Sequence, residues 1–192
     1  MLRRKSTLGR PGSILPERRA VLIVIGADRT ETAYLKGLRT HDRLGAVTMK
    51  IVEKAAAPDR LVEYTRATFT LGEYDEVWCV TDVDHYERDG GKVTAAVALA
   101  GDDIKLAVSN PCFELWLLLH HEDCAAHCAG CREVHARLRK HLPQYDKTRL
   151  RFGDFAAGLD EALHRAEKLG DDHTRNPSTG VWRLVGAVLE KQ

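Results

Sequence analysis

Residues 19–26, RAVLIVIG, are apolar, β-branched and unalternating, and they close on a glycine, as a strand buried on both faces would. The spacing then changes. TETAYLKGLRTHDRL, 30–44, brings Tyr34, Leu35, Leu38 and Leu44 to one side of a helix with Thr30 as its N-cap. Residues 46–53 alternate, with Val47, Met49 and Ile51 on one face of a strand. Residues 58–69 return to helical spacing and start at Pro58 or Asp59. DEVWCVTD, 75–82, is a second doubly buried strand; KVTAAVALA, 92–100, makes a short helix; DIKLAVS, 103–109, makes a fourth strand.

Strand and helix alternating through residue 109 predict a parallel α/β sheet of about four strands, Rossmann-like in its crossovers. Beyond that point the pattern turns helical. NPCFELWLLLHHE predicts a helix capped by Asn110 with Pro111 at its first position. Residues 130–141, 155–169 and 178–190 follow as helices without an intervening strand, the last capped by Asn176, Ser178 and Thr179. The expected organisation is a basic flexible arm at 1–19, an α/β core at 20–123, and a helical extension at 124–192 packing on that core.

Composition narrows the class. Of 192 residues 44% are hydrophobic and 30% charged, which sets the chain apart from disordered proteins. No apolar run approaches the roughly 18 residues of a membrane span, so a membrane is not an expected partner. The arm carries Arg3, Arg4, Lys5, Arg10, Arg18 and Arg19 against Glu17, and it lacks the apolar stretch of a secretory signal. Five cysteines, an odd number, without an export signal point to a reducing cytoplasm. The net charge of +1 argues for no partner; the arm, with its clustered arginines, suits phosphate.

The candidate chemistry lies where strands end. In doubly wound sheets ligands bind beyond the carboxyl ends of the strands. The first strand runs into GADRTE and the third into DVDHYE, so Asp28, Glu31, Asp82, Asp84 and Glu87 are expected at one rim. Such acids repel one another unless a cation joins them, and Mg²⁺ (or Mn²⁺) suits carboxylates shared with a phosphate. The plain alternative is that Asp28 and Glu31 favour a helix N-terminus while Asp82 and Asp84 occupy a solvated loop. Glu114 sits in the first turn of a helix that is apolar nearly all round, where a buried carboxylate needs a partner. It either joins the acidic site or answers the positive helix end.

Other motifs carry less. Arg137, Arg139, Lys140, Lys147, Arg149 and Arg151, with Tyr145 interleaved and Asp146 opposed, make either a phosphate-tracking stripe or a solvated face; Lys147 and Arg149 are its nucleic-acid candidates. Cys124, Cys128 and Cys131 offer one C-x₂-C-like knuckle near several histidines. Structural zinc sites favour two such knuckles, so small residues in a helix–loop segment are the preferred reading over zinc. Cys79 and Cys112 read as small buried hydrophobes. ERDGGK, 87–92, lacks the phosphate-loop pattern and reads as a turn.

VLIVIGADRTETAYLKGL, YDEVWCVTDVDHYE, LAVSNPCFELWLLLHHE and NPSTGVWRLV, with LPQYDKTR between the last two, resemble the RloB family. SNPCFELWLLLH is the most specific of these stretches. The resemblance implies a Toprim-like α/β core that holds Mg²⁺ through an acid after the first strand and the Asp82–Asp84 pair after the third. It implies nucleic acid, DNA or RNA, as substrate, and a restriction-linked, anti-phage setting with defence-system protein partners. The family pattern after the first strand is close to C-E-G-x-x-T-E. This chain has IGADRTE, with Gly26 where the leading glutamate falls and Ala27 at the glycine position. In Toprim enzymes that glutamate is usually the proton-transfer group, so three expectations stand. The first is a metal-dependent nuclease with Glu31, Asp82, Asp84 and Glu114 catalytic and Glu31, Asp82 and Asp84 on the metal. The second is a binding or regulatory subunit that has lost cleavage. The third is a zinc-stabilised interaction module.

Overall fold

The computed structural model describes residues 18–26, 29–83, 86 and 91–189. The arm residues Arg3, Arg4, Lys5 and Arg10 lie outside them, as do Asp28, Asp84 and Glu87. The chain order is β1 (Arg19–Ile25), α1 (Arg29–Leu38), β2 (Val47–Glu53), α2 (Pro58–Thr68), β3 (Glu76–Asp82), α3 (Lys92–Ala100), β4 (Lys105–Asn110), α4 (Glu114–Leu119), α5 (Cys131–His141), α6 (Leu159–Leu169), β5 (Ser178–Thr179) and α7 (Val181–Val188). The sheet order is β2-β1-β3-β4-β5. The first four strands run parallel and β5 pairs antiparallel to β4. β1 and β3 are neighbours, Ile25 opposite Val80, as their doubly apolar composition demands.

Alternate residues of β1 feed two cores. Val21, Ile23 and Ile25 join Trp78, Val80, Tyr34 and Leu35, together with the helices α4 to α7, on one face. Leu22 and Val24 join Cys79, Leu61, Val62, Ala96 and Ile104, between the sheet and α2 and α3, on the other. Each buried aliphatic side chain contributes about 1.5–3 kcal/mol of transfer free energy. The first cluster holds the sheet and residues from Cys124 to Leu189 together.

Several local expectations change. Thr30 lies inside α1, and its hydroxyl donates to the Lys147 carbonyl at 3.3 Å instead of capping the helix. Asn110 is the last residue of β4, its side-chain amide donating to the His173 carbonyl at 2.8 Å, and α4 starts only at Glu114. The 178–190 segment opens with β5. Asn176 does not cap α7 but pairs with the Cys128 backbone, accepting its N–H and donating to its carbonyl, both at 3.0 Å. Nor does Thr179 occupy the cap: the N-cap of α7 is Gly180, and the Thr179 hydroxyl, one residue earlier, accepts the Val181 N–H at 3.4 Å. The 155–169 helix shortens to α6 behind two 3₁₀ turns. The reason is close approach: a Cβ on Gly158 would stand 2.1 Å from the His120 carbonyl oxygen, so that turn is set by packing and not by helical periodicity.

Candidate functional site

Three carboxyl groups meet at the carboxyl edge of the sheet. β3 ends on Asp82, the first turn of α1 supplies Glu31, and the first turn of α4 supplies Glu114. Glu31 and Glu114 are buried and Asp82 half-buried. Oδ1 of Asp82 is sealed from solvent without a hydrogen-bond partner among the described residues. The Phe113 N–H donates to the Asp82 carboxyl. Burial, followed by the charges of Glu31 and Glu114, holds the Asp82 carboxyl well above the usual carboxylate range.

Glu114 has the partner its burial requires. Burial alone would push its carboxyl up, but His135 holds it below the usual range. His135 Nε2 stands 3.0 Å from Glu114 Oε1. The ion pair with Glu114 in turn raises the imidazole above its ordinary value, against the effect of its own burial. Cys112 lies alongside, its thiol pushed up by a hydrogen bond with Cys131 and by burial, so a helix N-terminus does not activate it. The sequence groups Cys131 and the nearby histidines with Cys124 and Cys128, and does not join Cys131 and His135 to Cys112 and Glu114. The spacing of Cys131 and His135, one helical turn apart on an amphipathic helix, is the signal that puts both on one side of α5.

The cysteine run divides. Cys124 and Cys128 approach with Sγ atoms 3.4 Å apart, and Arg137 Nη1 lies 3.0 Å from the Cys124 sulfur; Cys131 turns instead toward Cys112. The basic run divides too. Arg137 points inward, bonding Glu122 Oε1 at 2.6 Å and the Asp123 carbonyl at 2.9 Å. Arg139, Lys147, Arg149 and Arg151 line a cleft of about 1180 Å³ with Tyr145 and His135. His135 thus borders both the cleft and the acid cluster. The Arg149 side chain is 86% exposed and its nearest acid, Asp146, is 3.9 Å away.

Gly26 follows β1 with its N–H on the Val80 carbonyl at 2.9 Å. A Cβ there would meet Leu61 Cδ2 at 3.0 Å and the Ala56 carbonyl oxygen at 3.4 Å, on the α2 side of the sheet. A side chain at this position therefore starts out toward the opposite core from the helices that carry Glu31 and Glu114.

Fold and site together define an α/β protein whose mostly parallel sheet gathers carboxylates, thiols and an imidazole at its carboxyl edge. The family model for RloB-like proteins matches residues 21–188, nearly the whole chain, and the chain belongs to that family. No curated protein and no solved structure matches it. Among the described residues no helix is long and apolar enough to cross a membrane.

Proposed function

We propose that this RloB-family protein has a Toprim-like core and binds nucleic acid with Mg²⁺ or Mn²⁺ held by Glu31 and Asp82, in a phage-defence setting with protein partners. The observation that carries this reading is the meeting of Glu31, Asp82 and Glu114 beside a cleft lined with arginine and lysine. Oxygen donors alone, one of them a buried and unpartnered Asp82 oxygen, fit a hard dication. Asp84, outside the described residues, would complete the pair. Bound there, the metal supplies positive charge to the carboxylates and to a phosphate oxygen. Lys147 and Arg149 neutralise neighbouring phosphates, which fixes position along the strand without reading sequence. Glu114, kept ionised by His135, is the group placed to accept a proton in the nuclease form of the reading.

A second reading, a binding or regulatory subunit without cleavage, is favoured by Gly26. That position has no side chain to move a proton, and the direction of its missing Cβ is occupied by Leu61. Titrating Mg²⁺ and Mn²⁺ against labelled single- and double-stranded DNA and RNA, with binding and cleavage read together, separates the two. Metal-stimulated binding that Asp82→Ala removes supports the metal site; cleavage accompanying it selects the nuclease. Binding indifferent to metal and to Asp82→Ala would sink the metal site and the nuclease and leave the binding subunit.

The cleft makes its own prediction. Lys147→Ala with Arg149→Ala is expected to weaken binding to all sequences alike and to lower the slope of log affinity against log salt by about two, roughly one per phosphate lost. Fluorescence anisotropy at several salt concentrations measures this, and an unaltered slope would leave these cations as a solvated face.

A further inference from the structure

Cys112 and Glu114 leave the end of β4, while Cys131 and His135 stand one turn apart at the start of α5. We propose that these four side chains form a zinc site that ties the sheet edge to α5. A sulfur of Cys112, a carboxylate oxygen of Glu114 and a ring nitrogen of His135 all lie within 4.8 Å of one another. Two of these groups, His135 Nε2 and Glu114 Oε1, are already 3.0 Å apart. The Cys112 thiol hydrogen-bonds with Cys131, so a fourth donor stands beside Cys112, just outside this three-ligand group. Ligands about 2.0–2.3 Å from a tetrahedral zinc lie roughly 3.3–3.8 Å from each other. Contraction by about an ångström brings these three donors to zinc, and a turn of the Cys131 side chain about its Cα–Cβ bond adds the fourth.

The donor chemistry chooses the ion. Two sulfurs, one imidazole nitrogen and one carboxylate oxygen make a borderline-soft set that suits zinc, whereas Mg²⁺ takes oxygen donors. The supports are in place before any ion arrives. Asn176 clamps the Cys128 backbone ahead of α5, and the i, i+4 spacing of Cys131 and His135 puts both on one side of the helix. Cys112 and Glu114 are buried, and Cys131 and His135 half-buried, which fits a closed structural site. Binding replaces the two thiol protons with two Zn–S bonds and releases those protons to solvent, with a third from His135 when it is protonated. Cys124 and Cys128 take no part, since they face each other and Arg137. The inference goes beyond the Mg²⁺ reading, whose ligands Glu31 and Asp82 are not among these four; with zinc bound, Glu114 is a ligand and no longer a proton acceptor, which goes with the binding form of that reading and not with the nuclease form.

The test uses the full chain produced in zinc-supplemented medium, purified without chelator and analysed for metal. About one zinc per chain is expected, falling at least about ten-fold in Cys112→Ser and in His135→Ala and persisting in Cys124→Ser. It also persists in Asp82→Ala, which loses the Mg²⁺ response, so the two metal readings fail separately. Should the ligand variants not fold, Co²⁺ exchanged into wild type and into Cys124→Ser decides: a thiolate-to-cobalt charge-transfer band of equal strength is expected in both. Wild type carrying no zinc and giving no such band overturns the proposal. So does zinc that survives Cys112→Ser and His135→Ala but leaves with Cys124→Ser.

Discussion

Taking the protein from pH 7 to pH 5 is expected to cost about 2 kcal/mol of unfolding free energy through His120 alone. The imidazole is buried among Tyr34, Trp116 and Phe155, with ring centroids 5.6, 5.1 and 5.6 Å away. Nδ1 donates to the Phe155 carbonyl at 2.8 Å, and Nε2 accepts the Tyr34 hydroxyl at 3.1 Å. Both nitrogens are thus satisfied in one neutral tautomer, and protonation would set an Nε2–H against a hydroxyl that already donates to that nitrogen. Burial, foremost, lowers the pKa to about 3. The unfolded chain titrates near the ordinary value of about 6.5, so below it the unfolded state binds more protons and stability falls as pH falls. The contribution is intact above about pH 6.5 and is lost progressively down to about pH 3. His135, raised by Glu114, acts in the opposite sense, and His121, lowered by burial, in the same sense. The decisive quantity is therefore a difference between proteins. Urea unfolding at pH 5 and 7 should show His120→Gln losing about 2 kcal/mol less between the two than wild type. Equal losses would mean that His120 is not the acid-sensitive group.

Those surroundings also mark where the sequence stops being legible. Strands β1 and β3 could be read because residues buried on both faces must be apolar at every position, and an acid after such a run has to lie at the strand's end. Glu31 and Asp82 therefore fell at one edge, and the need of Glu114 for a partner followed from its apolar helix. The partner itself did not, because His135 reaches Glu114 across 21 residues of chain, and only packing sets that distance. Arg137 looks like a member of a basic stripe in one dimension, yet Glu122 and Cys124 draw it inward. β5 is two residues long and owes its strand conformation to the free edge of β4, which no periodicity records.

Asp82→Asn is expected to stabilise the metal-free protein by about 1–3 kcal/mol at neutral pH, the usual cost of a buried polar group without its partner. A substitution at a buried polar site that raises stability is the sign of a site built for something other than folding. The Asp82 carboxyl is crowded by Glu31 and Glu114, and Oδ1 lacks a hydrogen bond among the described residues. Asparagine keeps the shape and can still accept the Phe113 N–H, while its amide donates toward the neighbouring carboxylates in place of repelling them. The same change should remove the response to Mg²⁺. A ligand at ten to a hundred times its dissociation constant stabilises the native state by about 1.4–2.7 kcal/mol, and in wild type this gain is expected to offset the repulsion it would relieve. Thermal or urea unfolding of both proteins, with and without Mg²⁺, gives four stabilities. The expected order places the variant above wild type without metal and the two close together with it. A variant less stable than wild type in both conditions would make Asp82 an ordinary structural acid, and a variant that still gains stability from Mg²⁺ would move the ion to other ligands.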